Sequence, residues 1–255
     1  MEIFRKIGKF VGSFFFIIFL FLFLLSYSLA NFTQKENLMK TFDQILDSSL
    51  AQKFIPDIPK SQLESLELYL RKECKDKEKI EVSFGDQNIS LECKELQNLT
   101  TEETFQMIFK KTVKSEFEEL YETSYDCKLI DCFKIPTFFI SFQFHQLLTS
   151  LILSLGFLSL AALSLIWFCS KNWYERLKDT GISLILVGIP YFFKYFAVHL
   201  IPLFPFSEEF KEILVHPIIP LLSPIFSIFL YAFVTGIGLL FVSLMINVKT
   251  SHKKL

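Results

Sequence analysis

The chain has 255 residues, 51% of them hydrophobic, with 32 Phe against 8 Gly and a formal charge of −1. That near-neutral balance excludes the basic excess of a nucleic-acid binder. The apolar residues gather in four long stretches around one polar block, which excludes an ordinary soluble domain and points to a bilayer as solvent.

The predicted elements begin with a cytoplasmic N-terminus over residues 1–10, carrying Arg5, Lys6 and Lys9. Residues 11–30 follow as a first transmembrane helix without a charge. Roughly 20 apolar residues suffice to cross the hydrocarbon at about 1.5 Å per residue. The same stretch also reads as a signal peptide cleaved after Ala30, through the basic start and Ser28-Leu29-Ala30. Its apolar core exceeds the roughly 7–15 residues usual in such signals, which favours a retained anchor.

Residues 31–140 read as a small α+β extracytoplasmic domain inserted between helices 1 and 2. Residues 31–135 hold 15 Lys or Arg against 21 Asp or Glu, a net of −6, and the rest of the chain holds 11 against 6, a net of +5. The overall figure is therefore a cancellation. Leu38, Phe42, Ile45, Leu46 and Leu50 recur at helical spacing over residues 35–54, and Pro56 and Pro59 break the run. A second helix starting near Pro59 would carry Leu63, Leu66 and Leu70 on one face. Ile80, Val82 and Phe84 alternate with polar residues, Gly85-Asp86-Gln87 marks a turn, and Ile89, Leu91 and Cys93 alternate again, which predicts a β-hairpin. Thr100 and Glu103 form a capping-box pattern before Phe105, Ile108, Phe109, Val113, Phe117 and Leu120.

Four of the five cysteines, Cys74, Cys93, Cys127 and Cys132, fall in this block, an even number that predicts two disulfides in an oxidising exterior. Spacing favours Cys74–Cys93 and Cys127–Cys132, and Cys74–Cys127 with Cys93–Cys132 is the alternative. No C-x-x-C pair supports zinc. Sequons begin at Asn31, Asn88 and Asn98. Asn31 abuts the membrane, leaving Asn88 and Asn98 as candidate glycosylation acceptors of a glycoprotein.

The second span covers residues 141–169, with Gln143, His145 and Gln146 in its first turns. A cytoplasmic loop over 170–180 carries Lys171, Arg176 and Lys178, and a third span over 181–204 contains Lys194. A short exterior loop, 205–217, holds Glu208, Glu209 and Glu212 against Lys211. The fourth span, 218–246, opens with Pro220 and Pro224, and the cytoplasmic tail 247–255 carries Lys249, Lys253 and Lys254. Alternating crossings place all three basic clusters on one side. The expected protein is a multi-pass plasma-membrane protein of four transmembrane helices, with both termini cytoplasmic and residues 31–140 outside.

Inside the spans, Lys194 is the one intramembrane charge, and an uncompensated charge in hydrocarbon points to function or to snorkelling toward the outer glutamates. His145, His199 and His216 sit near the outer ends of three spans and are weak metal candidates, without a H-E-x-x-H grouping. Gly236 and Gly238 with Thr235, and Ala161 with Ala162, are candidate helix contacts. The layout resembles tetraspan proteins, yet the W-x-x-G-L-W of claudin-like chains and the C-C-G of tetraspanins are both absent. Disulfide-forming membrane oxidoreductases are similar in span number, but they need a C-x-x-C, and four residues separate Cys127 from Cys132. With no catalytic motif and no cofactor signature, the expectation is a non-enzymatic binding, scaffold or assembly module. Its partners would be the lipid bilayer and either another protein or a second copy. A transporter or channel subunit and a membrane thiol oxidoreductase are the alternatives.

Overall fold

The computed structural model describes residues 2–46, 60–75, 77–84, 87–96, 99–193 and 219–252. In chain order these form α1 (Glu2–Phe32), α2 (Lys35–Leu46), α3 (Lys60–Glu73), strands β1 (Lys79–Phe84) and β2 (Gln87–Glu92), α4 (Cys93–Leu96) and α5 (Thr101–Glu122). There follow α6 (Leu129–Cys132), a 3₁₀ turn (Pro136–Ile140), α7 (Phe142–Cys169), α8 (Trp173–Gly188) and α9 (Ile219–His252). They divide into two compact units, Met1–Gln34 with Phe144–Leu255, and Lys35–Gln143.

In the Lys35–Gln143 unit the predicted alternation becomes an antiparallel hairpin, with Ile80 opposite Leu91 and Val82 opposite Ile89. A period of two puts these four on one face, and they are buried with Leu70 from α3 and Ile108 from α5. The strand stops one residue earlier than the alternation suggests. Cys93 opens α4 instead, while its N–H still donates to the Glu78 carbonyl at 3.0 Å. A disulfide joins it to Cys74 at the end of α3, with the Cα atoms 5.4 Å apart. Helix α5 starts where Thr100 and Glu103 cap each other: the Glu103 N–H donates to Thr100 Oγ1 at 3.3 Å, and the Thr100 N–H donates to Glu103 Oε2 at 2.8 Å. Helix α2 lies on α5 through Phe42 and Phe117, whose ring centroids are 4.4 Å apart. The expected continuation of α2 to residue 54 lies beyond residue 46, outside the described residues, as does the Pro56–Pro59 break.

The other unit is built around three helices that, among the described residues, are long and apolar enough to cross a membrane: Glu2–Phe32, Phe142–Cys169 and Ile225–Val248. Their outward side chains, including Phe157, Phe168, Phe241 and Met245, are exposed, as suits side chains solvated by lipid and not by water. These candidate helices overlap the first, second and fourth of the four predicted spans. The third is described only to residue 193, and its segment 194–204 lies outside the described residues. The predicted loop 170–180 is mostly helical: α8 begins at Trp173, and only Ser170, Lys171 and Asn172 separate it from α7. Asn172, with extended backbone angles, sits in the N-cap position, and Glu175 in the first turn complements the helix dipole.

Helices α8 and α9 run antiparallel at very close approach. A Cβ on Gly236 would lie 2.7 Å from the Gly181 carbonyl oxygen and 2.8 Å from the Ile185 nitrogen; one on Gly188 would meet the Phe233 backbone at 2.7 Å. Gly238 has nothing within 4 Å, so only one of the two glycines singled out in α9 makes the contact. Of the alanine pair, Ala162 is buried against Phe16 and Ile166, while Ala161 is exposed. Serines stitch the helices: Ser28 donates to the Ile225 carbonyl at 2.9 Å, and Ser243 donates to the Tyr174 carbonyl at 3.4 Å. Together with Lys9 beside Glu175, these contacts gather the start of α1, the α7–α8 link and the last turns of α9 at one end of the unit.

Candidate functional site

The segment from Tyr125 to Gln143 forms a short, tightly bound foot on the Lys35–Gln143 unit. Six residues cannot hold a helical turn cooperatively, since nucleation costs more than one hydrogen bond returns. Here the Cys127–Cys132 disulfide closes the turn containing α6 and holds its ends with Cα atoms 5.5 Å apart. Pro136 occupies the first position of the following 3₁₀ turn, where its missing N–H is not needed. That turn is locked by Ser141, whose N–H and hydroxyl both donate to the Phe138 carbonyl, at 3.0 and 2.7 Å. Gln143 ties the segment back. Its Oε1 accepts from the Tyr125 N–H at 3.0 Å, and its Nε2 donates to Ser124 Oγ at 3.2 Å.

Phe138 is the buried centre of this foot, with the rings of Tyr125 and Phe133 edge-on at 5.8 and 5.9 Å. Around it, Ile130 is 77% exposed, Phe133 42% and Phe139 40%. The foot therefore shows water a small set of rigid apolar side chains, with Lys134 and Asp131 paired at 2.9 Å on the rim. It combines an apolar centre, a charged edge and a backbone held by a disulfide, a proline and Gln143.

The predicted site residues distribute unevenly. Both disulfides lie in the Lys35–Gln143 unit, and Cys169 is free. His145 Nδ1 lies 3.0 Å from the Ala30 carbonyl and 3.3 Å from Thr33 Oγ1, so it donates to the carbonyl and links the end of α1 to the start of α7. The two other histidines considered with it, His199 and His216, lie outside the described residues, as does Lys194. Among the described residues no three His, Cys, Asp or Glu side chains come together as a metal site. Asn88 stands in β2 opposite Ser83, and Asn98 lies outside the described residues.

A second polar grouping was missed when Lys9 and Arg176 were read only as basic flanks. Lys9 Nζ sits 2.6 Å from Asp179 and 3.1 Å from Glu175, with all three side chains between a fifth and a third exposed. The hydrogen bond from Lys9 holds the Glu175 carboxyl below its ordinary range. Arg176, one residue on, stacks instead on indole rings, 5.2 Å from the Trp173 centroid and 6.0 Å from that of Trp167. The available signal was helical spacing: Glu175 and Asp179 are four apart and share a helix face. No protein-family model, curated protein or solved structure matches the chain.

Proposed function

We propose that this is a four-span plasma-membrane protein that holds its disulfide-stapled unit outside the cell and binds a protein partner through the foot around Phe138. The observation that carries the reading is the exposed trio Ile130, Phe133 and Phe139 on a backbone already fixed by a disulfide, a proline and Gln143. Exposed apolar side chains on a rigid support lose little entropy on docking, and partner recognition is their usual use. The absence of a catalytic motif in the sequence is in keeping with this, and the spans serve as anchor and assembly surface.

Three contacts support a retained first span. Lys9 pairs with α8, Ser28 bonds to α9 and Ala30 bonds to His145 on α7, so removal of α1 would strip partners from three helices. The gathering of Lys9, the α7–α8 link and the end of α9 at one end supports a shared cytoplasmic side for the basic clusters. The fourth span of the count is the segment from Gly181 onward.

The experiment is site-specific photo-crosslinking on native membranes, with a photoreactive residue replacing Ile130 and, separately, the exposed Phe157 of α7. The expected result is a discrete heavier protein adduct from position 130 and lipid adducts alone from position 157. A strictly solitary monomer, or lipid adducts alone from both positions, overturns the reading. An adduct of twice the chain mass identifies the partner as a second copy.

A further inference from the structure

A groove of about 370 Å³ is lined by Leu160, Leu163, Ser164, Trp167 and Phe168 of α7 and by Arg176 of α8. The five α7 residues lie on one helical face, because spacings of three and four bring side chains into one stripe. The wall is mostly hydrocarbon and aromatic, with the Ser164 hydroxyl, and its one charged group is the Arg176 guanidinium.

That guanidinium has no anion among the described residues. Its Nε is buried and without a hydrogen-bond partner. The nearest carboxylates in sequence, Glu175 and Asp179, both face Lys9 Nζ, at 3.1 and 2.6 Å, and neither is paired with Arg176, although Asp179 Oδ2 is itself buried without a hydrogen-bond partner. Trp173 and Trp167 fix its plane from the side, their own rings 5.7 Å apart, and Trp167 Nε1 donates to Thr180 Oγ1 at 3.4 Å, which holds the inner ring. These are the only two Trp in the chain, and both lie at this end of α7. Indole rings belong at the bilayer–water interface, with the ring body in apolar surroundings and the N–H toward polar ones.

We infer that this groove binds an anionic phospholipid of the cytoplasmic leaflet, its phosphate on Arg176 and one acyl chain along Leu160, Leu163 and Phe168. The argument is complementarity of two kinds. A planar fork of N–H donors suits a phosphate better than any neutral headgroup group. An apolar channel leading away from it down the helix suits a chain attached to that phosphate. Free phosphate would satisfy the guanidinium and leave the channel unused. The inference rests on the membrane reading of the chain and is independent of the partner reading of the exterior foot.

The full chain carries its own reporter, since both Trp residues flank the site. Purified protein is reconstituted into phosphatidylcholine vesicles containing brominated phosphatidylglycerol or, at the same mole fraction, brominated phosphatidylcholine, and tryptophan quenching is recorded. The expected result is an apparent affinity about fivefold higher for the anionic lipid, the advantage of one basic residue at a membrane surface. Arg176→Gln should abolish the preference while leaving baseline quenching. Arg176→Lys should retain only part of it, because a point charge lacks the planar fork.

Equal quenching by both lipids in the parent overturns the headgroup assignment and leaves the membrane reading standing. Quenching by neither overturns the membrane placement as well. A preference abolished by inorganic phosphate at the same ionic strength assigns the site to a free anion and overturns the lipid. A preference that persists undiminished in Arg176→Gln, or in Arg176→Lys if the first variant does not fold, overturns the assignment to Arg176.

Discussion

The two units of this chain differ in how many small residues they place at their contacts. In the Lys35–Gln143 unit the buried positions are large and apolar: Leu70, Leu91 and Ile108 are almost wholly covered, and charges face out. In the helical unit small residues and hydroxyls, Gly12, Ala162, Gly181, Ser183, Gly188 and Ser243, are covered beside Phe16, Ile166, Val187 and Phe229, while many other Phe and Leu side chains face outward. The difference follows from the solvent. Against water, apolar burial contributes about 25 cal/mol per Å². Between helices in lipid that driving force is absent, so association relies on close backbone approach and hydrogen bonds, which need small residues and hydroxyls. The two units should therefore fail in different ways.

The largest expected effect is in the Lys35–Gln143 unit. Replacing Cys74 and Cys93 by Ser opens a link spanning 19 residues and should cost about 3 kcal/mol, the chain entropy returned to the unfolded state. Hydrogen exchange of the β1–β2 amides, followed by mass spectrometry on the full chain in detergent, should accelerate roughly a hundredfold. Exchange in α8 and α9 should stay as it was. Acceleration of both together would erase the distinction between the units.

Next comes the helix crossing. Gly236→Val sets a side chain against the Gly181 and Ile185 backbones and should cost about 1–3 kcal/mol. Gly238→Val, with open space at its Cβ, should be close to neutral. Thermal unfolding of the two variants in the same micelles sharpens the comparison, since equal melting would mean that the close approach contributes nothing. Smaller again is Lys9→Met, which leaves Glu175 and Asp179 facing each other. Its cost should be about 1 kcal/mol, limited by the partial exposure of all three side chains. The loss should shrink in acid, once the pH falls through the depressed Glu175 value and the remaining repulsion is discharged.

What the sequence made legible follows the same division. Water imposes a period, so the hairpin was readable from Ile80, Val82, Ile89 and Leu91, and the start of α5 from Thr100 and Glu103. Lipid imposes length and apolarity, so the spans were readable as stretches while their faces were not. Nothing local distinguishes Gly236, which touches α8, from Gly238, which does not. Lys9 beside Asp179 was equally hidden, because the pair joins helices far apart in sequence and each residue also made sense as part of a flank. The start of α8 at Trp173 is not legible in the sequence, because Lys and Arg beside a span suit a loop and a helix alike. The foot around Phe138 was only half visible: Cys127 and Cys132 marked a clasp, but which rings turn inward depends on the Ser141 and Gln143 bonds.

The smallest effect discriminates most finely within the Lys35–Gln143 unit. Thr100 is exposed, so Thr100→Ala should cost about 0.5 kcal/mol, toward the low end for a lost N-cap. The capping box also makes a pH claim. Glu103 accepts hydrogen bonds from the Thr100 N–H and hydroxyl, and these hold its carboxyl below the ordinary 4.5. A depressed acid stabilises the folded state above its unfolded value, and that stability fades as pH falls through the folded value. Glu103→Gln should therefore loosen the first turn of α5 at pH 6 and make progressively less difference as pH falls below about 4.5. Hydrogen exchange of amides 103–107 across that range, corrected for intrinsic rates, is the measurement. A parent-minus-variant difference that stays constant with pH would mean that the Glu103 contact is geometric and not electrostatic.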